Sequence, residues 1–422
     1  MKHLALESSY FAAALIAATA AAGAAATPEI SGVTIAQDGM SRAVTVNYTL
    51  SGENAIVTLD VLTNGVSIGA ANVWAVEGDV NKLVGPGSRS ITWHPDKSWP
   101  DQKFGEGVVS ARVTAWNEND PPPYLAANLL VQGDVKYYTC AEAVPGGVGD
   151  VLYKTTSILM RRIYARGKAF SMGSPANEPG RWTGDAREAQ HEVSFGNDYY
   201  VGVYELTRQQ YDQITGGGLA AGAKTGDWPT LPVDSVTYAS LRSNKFNVNA
   251  AQSQYYYPNA PFGTSLLGLL RTQTGLAFDL PGAAQWEYAA KAGNGDYKWG
   301  DGSLIVSTLD SDEIDDVDPA LDALGRYSNN GSSVAPVGSY APNSWGLYDM
   351  HGNLIELLND PYDVTNGYSD VPKGATGQRA AKGGSFAAGA FRCRAAYQFS
   401  RAVTGTDTTY ANTGCRLAIT LP

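Results

Sequence analysis

Few residues in this chain could bind a soft metal or act as a nucleophile, because its 422 residues contain three cysteines and four histidines. The cysteines are Cys140, Cys393 and Cys415. An odd number allows at most one intramolecular disulfide, and no Cys-x-x-Cys pair is present to favour a zinc site. The histidines are scattered, so their spacing does not predict a two-histidine iron site. They are His3, His94, His191 and His351.

The composition is typical of an acidic globular protein. The net charge is −11 and the isoelectric point is about 4.9. No basic stripe is present to bind phosphates, so the sequence excludes a nucleic-acid partner. Hydrophobic residues make up 44% of the chain and charged residues 17%, as in folded domains, and the length allows two or three of them.

The first 26 residues have the pattern of a secretory signal peptide. Lys2 and His3 give a weakly basic start, an alanine-rich apolar run covers residues 11–22, and residues 24–26 offer a small-residue cleavage pattern. A disordered alanine-rich tail is the alternative. The run is too short to span a membrane, and no later stretch reaches the required length. We therefore expect a secreted or periplasmic protein without a membrane span.

Residues 29–117 are predicted to form an all-β domain. Apolar and polar residues alternate over residues 42–50 and 55–62, with a Ser-Gly-Glu-Asn turn signal between them. Two further strands are predicted at residues 90–93 and 108–116. Short strands at this spacing are typical of an immunoglobulin- or fibronectin-like sandwich. The domain holds no catalytic constellation, so we interpret it as a spacer or adhesion module.

A linker is predicted over residues 118–150. Three consecutive prolines, residues 121–123, follow a polar run and favour an extended chain. The pattern of residues 124–150 fits either the last strand of the sandwich or a connector to the next domain.

The remaining chain combines short strands, two helices and long loops, so the predicted fold class is α+β, with the all-β sandwich placed first. The helices are predicted over residues 205–211 and 283–292. In the second helix, Trp286, Ala289 and Ala290 recur at helical spacing. We interpret this apolar stripe as core.

Five segments of this region, taken in order, resemble the formylglycine-generating-enzyme (sulfatase-modifying factor) family. Their most recognisable residues are FSMGS (170–174), YELT (204–207), LPVD (231–234), QWEYAA (285–290), and the run from WGLYDMHGN (345–353) through KGGS (382–385) to GCRL (414–417). No single motif is decisive, but five in order make a strong match. The resemblance covers a predicted domain at residues 153–422.

The resemblance implies a loop-rich variant of the C-type-lectin fold in which calcium often orders the loops. Ordering a loop costs about 1–2 kcal/mol per residue in backbone entropy, and a bound metal can offset that cost. In the family, two side chains and two backbone carbonyls hold one calcium ion. The matching residues here are Asp349 and Glu356 for the side chains, and Gly352 and Leu354 for the carbonyls. The alternative is that Asp349 caps a turn and Glu356 is solvated.

Two other segments bear on cation binding. A second calcium site of the family would lie near residues 324–333, where the match is too loose to name ligands. The acidic run at residues 310–318 lacks the glycine and the terminal glutamate of an EF-hand loop. We interpret that run as a solvated insertion.

The chemistry of the family requires two active-site cysteines that bind copper, because thiolates are the ligands that Cu(I) prefers. In the family both follow the Gly-Gly-Ser turn. The first position falls on Ala388 here, and the segment that carries the second is shortened. Cys393 matches a later, structural position, and Cys415 replaces an aromatic residue. A Cys393–Cys415 disulfide stays open, and copper is not expected.

Without that chemistry, the sequence predicts a binding surface for a protein, peptide or glycan ligand. The resemblance places residues 386–391 and 397–410 in the groove where the family receives its peptide. Rigid aromatic side chains among small residues favour recognition. The candidate binding residues are Ser385, Ala388, Phe391, Phe399 and Tyr410. Phe386 and Tyr397 are interpreted as core instead.

Three functions therefore stay open. The first is a secreted, non-catalytic member of the family with a calcium-stabilised binding domain. The second is an active formylglycine-generating-type oxidoreductase that modifies a protein substrate. The third is a lectin-fold ligand-binding protein diversified by a retroelement.

Overall fold

The computed structural model describes residues 27–102, 107–217, 226–243, 255–311, 316–363, 367–372, 378–402 and 411–422. The predicted signal peptide and Tyr410 lie outside these residues. The described chain is mostly β with few helices, which confirms the α+β class. Within the described residues, no helix has both the length and the apolar character needed to cross a membrane.

The N-terminal region consists of two antiparallel sheets and a short helix, α1 (Pro95–Ser98). Its strands are β1 (Glu29–Gln37), β2 (Val44–Ser51), β3 (Ala55–Thr63), β4 (Val66–Ser67), β5 (Val76–Gly78), β6 (Lys82–Val84), β7 (Gly87–Trp93) and β8 (Val109–Trp116). One sheet has the order β1-β2-β7-β5, and in the other β3 pairs with β4, β6 and β8.

One hydrophobic cluster fills the space between these two sheets. In β2, the buried residues Val44, Val46, Tyr48 and Leu50 alternate with more exposed ones, and they meet buried residues of β3 and β7 in the same cluster. This period of two is that of a strand with one covered face. The immunoglobulin or fibronectin assignment stays a prediction.

The C-terminal region contains eleven of the described strands and five helices. The strands are β9 (Tyr124–Asn128), β10 (Val135–Tyr138), β11 (Ser157–Ile163), β12 (Ala169–Met172), β13 (His191–Ser194), β14 (Tyr199–Gly202), β15 (Ile355–Pro361), β16 (Arg379–Lys382), β17 (Phe399–Arg401), β18 (Thr413–Gly414) and β19 (Ala418–Thr420). The helices are α2 (Arg208–Thr215), α3 (Tyr238–Arg242), α4 (Leu266–Thr274), α5 (Ala283–Lys291) and α6 (Leu321–Leu324). Short 3₁₀ turns occur at Ala70–Asn72, Ala141–Ala143, Val151–Lys154, Trp228–Thr230 and Ala390–Cys393.

Three sheets organise this region. A five-stranded sheet has the order β10-β9-β11-β14-β19, and β12 pairs with β13 alone. The third sheet has the order β17-β16-β15-β18, in which β15 and β18 run parallel. β15 carries Glu356, so this third sheet positions one predicted calcium ligand.

The predicted linker contributes two strands to the C-terminal sheet. β9 pairs with β11, and β10 pairs with β9. Leu125 and Ala127 of β9 lie in the same core cluster as Ile158 and Met160 of β11. The linker prediction is therefore corrected for residues 124–138. β9 is short and apolar on both faces, so it lacks the alternation that marks a half-exposed strand.

The two regions also pack against each other. Ile56 and Thr58 point away from the core of their own sheet, yet they are 2% and 4% exposed. The Tyr137 amide of β10 donates to the Asn81 carbonyl at 2.8 Å. The outer face of the N-terminal sheet is thus covered by the C-terminal region.

Two of the observed helices, α2 and α5, correspond to the two predicted from the sequence. Thr207 forms a capping box with Gln210, so α2 begins at Arg208 rather than at residue 205 as predicted. The predicted helix at residues 283–292 matches α5. Trp286, Ala289 and Ala290 are each 0% exposed, which confirms their interpretation as core.

The sheet order makes a prediction about which fragment folds. A fragment of residues 118–422 should show one cooperative thermal transition, because it keeps β9, β10 and the Pro122 carbonyl that accepts from the Tyr200 hydroxyl. A fragment of residues 153–422 should lack that transition, because it exposes an edge of β11 and part of the core. Near-ultraviolet circular dichroism during heating measures both. Equal transitions for the two fragments would contradict this assignment of the sheet.

Candidate functional site

The predicted calcium ligands lie at the end of the loop between α6 and β15 and at the start of β15. Three residues of this loop have positive φ: Asp349 (58°), Gly352 (98°) and Asn353 (60°). A Cβ atom on Gly352 would lie 2.2 Å from the carbonyl oxygen of Arg326, so only glycine fits there. The Gly352 amide donates to the Gly383 carbonyl at 2.6 Å, and the Asn353 amide to the Arg326 carbonyl at 2.7 Å. Two other segments therefore fix the loop.

Glu356 is fully buried on β15. Its carboxylate accepts from the Arg416 guanidinium, with 2.8 Å between Nη2 and Oε1, and from the Trp286 indole N–H at 2.6 Å. The side chains of Glu356 and Arg416 are both 0% exposed. The alternative that Glu356 is solvated is therefore wrong. Removing one partner from such a pair would leave an uncompensated buried charge.

Asp349 has one carboxylate oxygen without a partner. Oδ2 accepts from the Gly338 amide at 2.7 Å, whereas Oδ1 is buried and has no hydrogen bond in the described structure. Burial raises the pKa of Asp349 to about 6, against the opposing effects of the Gly338 amide and Arg416. A bound cation would satisfy an oxygen of this kind.

Sequence reasoning missed a third carboxylate, that of Glu205, which lies between β14 and α2. Its Oε1 accepts from the Leu354 amide at 3.0 Å, and its Oε2 from the Asn353 side-chain amide at 2.6 Å. Burial, followed by the negative charges of Asp349 and Glu356, raises the pKa of Glu205 well above its ordinary value. The available signal was a glutamate between apolar neighbours, an unfavourable place for a charge without partners.

The three carboxyl groups surround one arginine, Arg416, so this centre holds more acidic groups than basic ones. In the part of the chain that the structure describes, no group of three or more His, Cys, Asp and Glu side chains is arranged to hold a metal by itself. A cation here would need backbone oxygens as well, such as those the resemblance implies for Gly352 and Leu354. Ca²⁺ accepts mixed sets of carboxylate and carbonyl oxygens.

The two other segments that bear on cation binding, residues 324–333 and 310–318, form hydrogen bonds within the protein. In the loop at residues 324–333, Arg326 donates from Nε to the Ser333 carbonyl at 3.0 Å and from Nη1 to the Asn330 carbonyl. In the acidic run, Asp318 is 1% exposed and accepts from the Trp299 indole N–H at 2.9 Å. The prediction of a solvated insertion is wrong at Asp318, because the indole supplies a buried partner. Residues 312–315 lie outside the described residues.

The residues at the copper position of the family do not fit a thiolate site. Ala388 carries no sulfur. The Cys393 thiol is fully buried, and burial raises its pKa to about 12, whereas Cu(I) binds the thiolate. Its Sγ donates to the Gly389 carbonyl at 3.8 Å. A Cβ atom on Gly384 would lie 2.4 Å from that sulfur, so the Gly-Gly-Ser turn packs directly on it.

All three cysteines lie among the described residues, and all are free thiols. Cys393 packs in one core cluster with Phe391, and Cys415 packs in another with Leu206. The Cys393–Cys415 disulfide that the sequence left open is therefore not formed.

The structure buries three of the five predicted binding residues. Ser385, Ala388 and Phe391 are 0%, 4% and 1% exposed. The 3₁₀ turn at Ala390–Cys393 directs Phe391 inward, where its ring centre lies 5.6 Å from that of Tyr397. These three residues are thus corrected from surface to core. Phe399 is partly exposed, and Tyr410 lies outside the described residues. The interpretation of Tyr397 as core is confirmed.

A cavity of about 240 Å³ adjoins the C-terminal segment. Residues in its lining include Arg187, His191, Tyr368 and Lys382. Arg187 reaches the segment, because its Nη1 donates to the Gln398 carbonyl at 3.2 Å and its guanidinium lies over the Tyr397 ring. The cavity offers polar groups to a ligand beside the predicted groove.

The fold and the site define an α+β domain whose loops are fixed around a buried acidic centre. The chain matches the family model described as "Sulfatase-modifying factor enzyme 1-like domain" over residues 159–421, and it belongs to this family. Residues 1–158 precede the matched part.

Curated relatives include two formylglycine-generating enzymes. The chain is 31% identical to the enzyme of Streptomyces coelicolor over 151 residues, covering 33% of this chain and 46% of the relative. It is 30% identical to the enzyme of Mus musculus over 145 residues, covering 33% and 38%. A protein named chaperone protein LppX, from Paenibacillus barcinonensis, is 26% identical over 187 residues, covering 38% and 61%. The matches thus span 38% to 61% of the length of these relatives.

Two solved structures are similar at low sequence identity. Variable protein 1 of Treponema denticola has a TM-score of 0.45 and 22% identity, covering 63% of this chain and 96% of that protein. PvdO of Pseudomonas aeruginosa has a TM-score of 0.44 and 20% identity, covering 62% and 94%.

The burial of the thiols predicts their reactivity. In the native protein one thiol, that of the partly exposed Cys140, should react with Ellman's reagent, and all three should react in guanidinium chloride. Cys140→Ser should abolish the native reaction. Rapid reaction of Cys393 in the native state would contradict its placement in the core.

Proposed function

We propose that this protein is a non-catalytic member of the sulfatase-modifying-factor family whose C-terminal domain binds calcium and presents a ligand-binding surface. The observation that carries the proposal is the buried Asp349 Oδ1, which has no hydrogen-bond partner in the described structure. Two further buried carboxyl groups, those of Glu205 and Glu356, belong to the same centre. Burying a carboxylate without compensation is costly, and a divalent cation supplies that compensation.

The residues present fit calcium better than a softer metal. Asp349 offers a free carboxylate oxygen, and the loop at Gly352 and Leu354 contributes backbone carbonyls by the resemblance to the family. Glu356 already accepts four hydrogen bonds from Arg416 and Trp286, so its place among the calcium ligands rests on the resemblance to the family. When bound, the ion would order the loop against β15.

Copper-dependent oxidation is disfavoured by the residues at its position. Two thiolates must lie together for Cu(I), and here the first position is Ala388 while Cys393 is a buried thiol with a raised pKa. The function that stays is binding, with a protein, peptide or glycan as ligand. The cavity lined by Arg187, His191 and Tyr368 supports a ligand site in this domain.

Export to the periplasm or the outside of the cell is part of the proposal. It rests on the signal-peptide pattern of the first 26 residues. Calcium sites of extracellular modules have dissociation constants of about 10⁻⁴–10⁻³ M, so a modest site of this kind suits such a location.

Calcium should raise the midpoint of thermal unfolding of the full chain, and a chelator should lower it. A ligand that binds only the folded state stabilises it by about 2.7 kcal/mol at 100 times its dissociation constant. Asp349→Ala should remove the shift, whereas Asp96→Ala, at an exposed aspartate of α1, should retain it. Scanning calorimetry with calcium and with chelator provides the measurement. An unchanged midpoint for the unsubstituted protein would refute the calcium site.

Copper should support no turnover. With Cu(I), oxygen and a cysteine-containing peptide, we expect no formylglycine product by mass spectrometry, because the thiolate pair is missing. Cys393→Ser should behave like the unsubstituted protein. Turnover that disappears in Cys393→Ser would instead establish the oxidoreductase alternative.

A further inference from the structure

Glu205 is a buried carboxylate that lies outside the predicted set of calcium ligands. It comes from the segment between β14 and α2, far in sequence from residues 349–356, and it is 1% exposed. Its two oxygens accept one hydrogen bond each, from the Leu354 amide and the Asn353 side chain. Both donors belong to the loop that carries the predicted carbonyl ligands.

These two hydrogen bonds determine how the loop is held. Asn353 is itself fixed on its other side, because its Oδ1 accepts from the Ala335 amide at 2.9 Å. A peptide plane is rigid, so holding the amide of Leu354 also fixes the direction of the Asn353 carbonyl on the same peptide bond. Glu205 therefore restrains the backbone between the two carbonyls, those of Gly352 and Leu354, that the family pattern assigns to the ion.

Glu205 also contributes to the charge of the centre. Arg416 forms an ion pair with Glu356 at 2.8 Å, and this pair accounts for one of the three carboxylates. Lys154 is half-buried over the Tyr204 ring, 4.9 Å from its centre, and adds a more distant positive charge. Within the described chain, the other two carboxyl groups, those of Asp349 and Glu205, form no ion pair within 4 Å. When both are ionised, these two carboxylates carry the two charges that a divalent cation balances.

We propose that Glu205 is the positioning residue of this cation centre, acting through the Leu354 amide and the Asn353 side chain, and that its charge favours a divalent ion. The inference rests on the proposed calcium site. Glu205 is not placed as a direct ligand, because the three carboxylates do not converge as a metal-binding group within the described residues. Partners that orient metal ligands typically contribute about 10–100-fold in metal affinity.

The test is isothermal titration of the full chain with CaCl₂, comparing the unsubstituted protein with Glu205→Gln. Glutamine keeps one acceptor for the Leu354 amide but removes the charge and the bond from Asn353. We expect the calcium dissociation constant to rise about 10–100-fold. Glu192→Gln, at an exposed glutamate of β13, is the matched control and should bind like the unsubstituted protein.

A second readout separates positioning from simple stabilisation. If Glu205 only stabilised the fold, Glu205→Gln would lower the melting midpoint equally in chelator and in calcium, and the calcium-dependent rise would be unchanged. The proposal predicts that the rise itself shrinks. Glu205→Asp, which keeps the charge but shortens the reach, should also weaken calcium binding.

The titration distinguishes a wrong role for Glu205 from a wrong calcium site. Calcium binding by the unsubstituted protein, together with a Glu205→Gln affinity within about threefold of it, would overturn the role of Glu205 and leave the calcium site standing. Absence of calcium binding by the unsubstituted protein would overturn both the site and this inference.

Discussion

The buried ion pair between Arg416 and Glu356 is the interaction on which the C-terminal domain depends. Besides binding Glu356, Arg416 donates to the Gly202 carbonyl at 2.9 Å and to the Tyr348 carbonyl at 2.7 Å. It therefore joins the last segment of the chain to β14, to the loop before Asp349 and to β15. A buried charge pair is stable only when each partner is fully satisfied, so these segments have to fold together. The other two buried carboxyl groups beside the pair, those of Glu205 and Asp349, are the basis of the proposed cation site.

The chain keeps the Gly-Gly-Ser turn of the family, whereas by the resemblance Ala388 stands at the family's first cysteine position. The turn itself is retained, and it packs on the Cys393 sulfur while the His351 ring donates to the Cys393 carbonyl at 2.9 Å. A cysteine enclosed in this way contributes to packing, and its raised thiol pKa opposes metal binding. Membership of the family thus describes how this domain folds, whereas its activity has to follow from the residues that stand at the reactive positions.

Much of the fold follows from local sequence signals. The periodic run of α5 predicted both its helix and the burial of Trp286, and the alternation in β2 predicted a strand with one covered face. β9 could not be assigned in the same way, because its apolar character on both faces reads equally as connector or strand, and its partner β11 is distant in the chain. Pairings of this kind depend on tertiary contacts that no local pattern encodes.

The candidate site was predictable in part, for a similar reason. The motif around Asp349 and Glu356 identified one loop, but the centre also needs Glu205 and Arg416, which only folding brings beside it. Burial overturned the prediction that Phe391 lies on a binding surface. Phe391 follows small residues and resembles an exposed anchor in sequence, yet the 3₁₀ turn rotates it into the core. Rotation of one short turn is beyond what residue types reveal.

We propose that a divalent cation neutralises the buried acidic centre formed by Glu205, Asp349 and Glu356. Terbium luminescence excited through tryptophan tests this neutralisation, because the Trp286 indole is hydrogen-bonded to Glu356, one of the proposed ligands. We expect sensitised terbium emission that added calcium removes and that is absent in Asp349→Ala. Emission that is absent, or that calcium does not displace, would contradict it.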